Sequence, residues 1–134
     1  MKRFVLDASA LIAFFEDLPG AERVEGLIAS AIDGKTELSM SIVNWGEVCY
    51  SIWRTKGNAA ARKTVGEIAQ LPINLVDANP ELASLAVALR AEYKMPYSAC
   101  FAAAMARQRR ASLVTADKNF TEIEKQVVIV WVSN

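Results

Sequence analysis

The chain has 134 residues, 53% of them apolar, which suits a single domain spanning residues 1–134 with a core that needs no disulfide or structural metal. Lys+Arg and Asp+Glu balance at 15 each, so net charge names no partner, and any RNA contact has to come from a local patch. His is absent, and Cys49 and Cys100 lie far apart without CxxC spacing, which excludes a zinc site and a Ser-His-Asp or Cys-His nucleophile system; both thiols read as free and buried in a reducing compartment.

The opening Met1-Lys2-Arg3 and the apolar run behind it look briefly like a secretory leader. Asp7 interrupts that run, and no apolar stretch is long enough to span a bilayer, so the chain reads as cytoplasmic, with no membrane partner. Residues 4–6 form a first strand and 8–15 a short helix. Residues 20–32 form a longer helix, stopped by Asp33-Gly34. A weaker strand follows at 38–42. Helices at 43–54 and 58–70 make a hairpin about Gly57, and 73–76 is a third strand after Pro72. Asn79 caps the next helix with Pro80 in its first turn, and that helix runs to about Tyr93. Residues 97–109 are Ala-rich and apolar on most faces, so this helix should be buried. A fourth strand at 112–115, a short helix at 117–124 and a fifth strand at 127–131 complete the chain. The strands are mostly continuous apolar runs alternating with helices. That pattern implies an α/β fold: a three-layer α/β/α sandwich around a parallel sheet of about five strands.

In open α/β sheets, ligands bind beyond the carboxyl ends of the strands. Asp7 directly follows the first strand, Asp117 follows the fourth after one residue, and Glu47 lies in the first turn of the helix after the second. If these strands are neighbours, three carboxylates converge on one sheet edge. Such a cluster repels itself unless a cation neutralises it, and hard oxygen ligands favour Mg²⁺ or Mn²⁺. Such an ion activates water against a phosphodiester without needing imidazole. Each acid also has a plainer reading, as a helix-start residue favoured by the macrodipole or a solvated first-turn acid.

Four stretches in order resemble the PIN-domain family, and within it the VapC-type toxins: VLDASALI at 5–12, SIVNWGEV at 41–48, MPYSACFAAA at 95–104 and LVTADKNF at 113–120. The resemblance implies an endoribonuclease dependent on Mg²⁺ or Mn²⁺, with Asp7 as direct metal ligand, Glu47 binding the metal or its water, and Asp117 completing the cluster. Ser9, Asn44 and Thr115 match polar positions that support the carboxylates or touch substrate; local capping serves equally well for them. The resemblance also implies a VapB-type antitoxin that blocks the acidic site, and a toxin homodimer. Ala99 departs from the pattern, standing where the family carries an aspartate that is a principal metal ligand. It is either an introduced substitution or the mark of a natural degenerate member that binds antitoxin or RNA without cleaving.

Lys118, beside Asp117, is placed to contact phosphate, and Arg107, Arg109 and Arg110 form a cationic cluster that a helix C-terminus also favours. Phe14, Phe15, Trp45, Tyr50 and Trp53 divide between core and a partner-docking surface. Other folds with Asp after the first strand fit worse. A haloacid-dehalogenase-like site needs a second Asp where Ser9 stands, a receiver domain needs an acidic pair near the start, and no Gly-rich phosphate loop is present.

Overall fold

The computed structural model describes residues 1–133. Five strands form one fully parallel sheet: β1 (Lys2–Leu6), β2 (Thr36–Ser41), β3 (Ile73–Val76), β4 (Ser112–Thr115) and β5 (Ile129–Trp131), in the order β3-β2-β1-β4-β5. The helices are α1 (Ala8–Phe15), α2 (Ala21–Ile32), α3 (Ile42–Lys56), α4 (Asn58–Ala69), α5 (Pro80–Glu92) and α6 (Tyr97–Arg109), with a 3-10 helix at Lys118–Ile123. None of these helices is long and apolar enough to cross a membrane.

Successive side chains of a strand point to opposite faces, and here they feed two separate cores. Val5 and Leu113 pack with α5, α6 and the 3-10 helix around Met105 and Phe120. Leu6 and Val114 pack with α1 to α4 around Leu11, Val24, Val48 and Ile68. Both faces of the sheet are therefore covered, which explains why its strands read as unbroken apolar runs. The three-layer parallel architecture expected from the alternating elements is the one observed.

Local departures have local causes. The strand expected to reach Ile42 ends at Ser41, whose hydroxyl accepts a hydrogen bond from Val43 N at 3.1 Å and starts α3 one residue early. Glu47 therefore falls in the second turn of α3 rather than the first. The last helix is a short 3-10 segment capped by Asp117. The fifth strand begins only at Ile129, because Val127 N still donates back to Ile123 O at 3.1 Å and belongs to the turn that ends the 3-10 helix. Cys100 is buried but Cys49 only half-buried. α6 is buried along its whole middle, Ala99 to Ala106, as its composition demands.

Candidate active site

β1 is the middle strand, with β2 and β4 beside it, so the segments leaving all three emerge along one edge. A cavity of about 610 Å³ opens there, lined by Asp7, Ser9, Asn44, Glu47, Ala99 and Asp117 among others.

Asp7 ends β1 and caps α1, its Oδ1 accepting from Ala10 N at 3.0 Å. The β1–β4 register sets Leu6 against Val114, which brings Thr115 alongside Asp7. Thr115 Oγ1 donates to Asp7 Oδ2 at 2.6 Å and accepts from Asp117 N at 2.9 Å. Ser9 Oγ shares its one proton across the same carboxylate, 2.8 Å from Oδ1 and 3.0 Å from Oδ2, and accepts from Ala116 N at 2.9 Å. Two hydroxyls thus join strand ends 108 residues apart in sequence. Asp7 is 4% exposed. Burial raises its pKa from 3.8 to about 6, against the opposing pull of hydrogen bonds from Thr115, Ala10 and Ser9, with the charge of Asp117 adding to the rise.

Glu47 is held from the other side of the cavity. Asn44 Nδ2 donates to its Oε1 at 2.9 Å, and Ser98 Oγ, from the first turn of α6, donates to Oε2 at 3.0 Å. Asn44 Nδ2 also donates to Ser98 O at 3.0 Å. Two acceptors on one atom identify it as the amide nitrogen. Asn44 Oδ1 is then left buried, with no partner among the described residues.

The donor chemistry suits a hard divalent cation: three carboxylates on residues lining one cavity. The acids share the cavity, but among the described residues no three acidic, Cys or His side chains stand close enough together to hold one ion. Glu47 is tied to Asn44 and Ser98, and Ala99 places a methyl on the cavity wall where the family pattern has a carboxylate.

Not every expected contact reaches the cavity. Lys118 is exposed and does not line it, because its turn carries it outward from Asp117. Arg107 and Arg109 occupy the last turn of α6, the opposite end from Ala99, and Arg110 caps it. Phe14 and Phe15 pack edge to face with centroids 5.1 Å apart, and Trp45 leans on the α1–α4 core, whereas Tyr50 and Trp53 are exposed. Sequence reasoning overlooked Ser98 and, on α3, Ser51, Arg54 and Thr55, which line the cavity beyond Glu47 together with Tyr50, expected there only as core or partner-docking surface. The signal was available, since these residues follow Glu47 at the spacing of one helix face.

Residues 4–126 match the PIN domain, and the chain belongs to that family. No curated protein sequence matches it. Solved structures share its fold. A DNA-bound VapBC from Salmonella typhimurium matches with TM-score 0.74 and 16% identity over 98% of this chain and 99% of the other. A toxin–antitoxin complex from Klebsiella pneumoniae matches with TM-score 0.68 and 20% identity over 97% and 98%. The sarcin–ricin-loop-cleaving toxin VapC20 of Mycobacterium tuberculosis matches with TM-score 0.70 and 14% identity over 93% and 96%.

Proposed function

We propose that this chain is the toxin of a VapBC-type pair, an endoribonuclease dependent on Mg²⁺ or Mn²⁺ whose activity is suppressed in this form by Ala99. The observation carrying the reading is the cavity at the carboxyl edge of the sheet, with Asp7, Glu47 and Asp117 on its walls and Ala99, from the first turn of α6, beside them. The likeness to VapBC structures, one of them a toxin that cleaves the sarcin–ricin loop, supports it.

A divalent ion among these oxygens would neutralise the carboxylates, polarise a phosphodiester and acidify water. Asp7 and Asp117 are the residues to hold it, with Glu47 binding the ion or its water. Thr115 and Ser9 fix the plane of the Asp7 carboxylate, and so spend no ordering entropy when the ion arrives. Asn44 and Ser98 orient Glu47, whose carboxylate accepts the proton of the attacking water. The partners on this reading are RNA, a VapB-type antitoxin seated over the cavity mouth, and a second toxin subunit, all in the cytoplasm.

Ala99 favours one further reading, a PIN module that binds antitoxin or RNA without cutting. Restoring the carboxylate separates the two. Ala99→Asp is expected to cleave total RNA with Mn²⁺ or Mg²⁺ and to stop on chelation, with calorimetry showing tighter Mn²⁺ binding than the parent. A folded Ala99→Asp protein that neither binds metal more tightly nor cleaves RNA removes the nuclease reading.

A further inference from the structure

An acidic cavity repels the polyanion it is meant to cut, so substrate must be drawn in by something else. Arg54 is the one cation among the described residues lining this cavity. It is exposed, and no carboxylate among the described residues pairs with it. Its neighbour Lys56 differs, being tied to Glu16 at 2.6 Å. The macrodipole of α3 accounts for a cation in this last turn but not for the face it occupies. That face is shared with Glu47: positions 47, 50, 51 and 54 form one row, and Arg54 stands about 10 Å along the helix axis from Glu47. Between them lies Tyr50, a 65% exposed aromatic on the cavity wall with no aromatic packing partner among the described residues.

Resting on the ribonuclease reading, we infer that α3 carries the substrate track of this site, with Arg54 binding a backbone phosphate and Tyr50 stacking on a base between that phosphate and the scissile one. Asp7 lies deep and 4% exposed, so the strand has to leave its helical partner to bring a phosphate down to it. A splayed base is then available for Tyr50.

The test uses the chain as it stands, with Ala99, and a fluorescein-labelled unstructured 12-nucleotide RNA read by anisotropy across a KCl series. Arg54→Ala is expected to weaken binding about tenfold at 100 mM KCl and to lower the slope of log K against log salt by about 0.7 to 1, while Arg54→Lys keeps most of that slope. Tyr50→Ala is expected to weaken binding fivefold or more with the slope unchanged, and Tyr50→Phe to bind like the parent. Unaltered melting temperatures show that the variants fold. The parent binding RNA while Arg54→Ala and Tyr50→Ala bind equally well overturns the inference and leaves the ribonuclease reading intact when Ala99→Asp cleaves. A parent that binds no RNA, with an Ala99→Asp form that cuts none, overturns the ribonuclease reading and the track with it.

Discussion

Asp7 is a carboxylate placed where water is scarce, and its environment makes a pH signature. Its pKa stands near 6 in the folded chain, chiefly through burial, against 3.8 when unperturbed. Between those values the folded state keeps a proton that the unfolded state releases. Stability therefore falls as pH rises from about 4 to about 6, and stays lower above that. Asp7→Asn in chelator removes this penalty. The variant is expected to gain as much as about 3 kcal/mol over the parent at pH 8, with the gain fading below pH 4, in urea titrations at both values. An equal difference at the two pH values would contradict this account. Thr115 works in the opposite direction, since its hydroxyl donates to the ionised carboxylate and accepts from Asp117 N. Thr115→Val should cost about 1–3 kcal/mol, more at pH 8 than at pH 4.

Helix starts decide where the site's side chains point. α2 begins at Gly20, whose φ of +101° and close approach to Val132 leave no space for a side chain; a Cβ there would sit 2.6 Å from Val132 O. Gly20→Ala is expected to destabilise the chain by about 2 kcal/mol, as judged by the urea midpoint at unchanged slope. The placement of Asp7, Asp117 and Glu47 along one sheet edge was readable, because continuous apolar runs mark strand ends and the acids sit just past them. The start of α3 was less so: Ile42 reads as strand by its β-branched shape, and only the Ser41 side chain turning back to Val43 N starts the helix there. The clasp of Ser9 and Thr115 on Asp7 depends on the β1–β4 register, which no local spacing encodes. Arginines adjacent in sequence at the end of α6 drew attention. Arg54, with no other arginine beside it but two turns from Glu47, escaped it although it lines the cavity.

For the molecule as a whole, the proposed ion would act as a ligand of the folded state alone, so binding should appear as stability. Mn²⁺ at tenfold excess over its Kd is expected to raise the melting temperature of Ala99→Asp by roughly 4 °C. The same concentration should move the parent less. Identical shifts in the two proteins would mean that position 99 plays no part in binding the ion. The parallel sheet also imposes an order in time. The hydroxyl that clasps Asp7 is 108 residues downstream. At about 5–20 residues per second, a ribosome supplies it roughly 5 to 20 seconds later. Until Thr115 has been made and has left the ribosome, the nascent polypeptide thus holds Asp7 without the hydroxyl that positions it, and whatever chemistry the finished edge performs stays dormant.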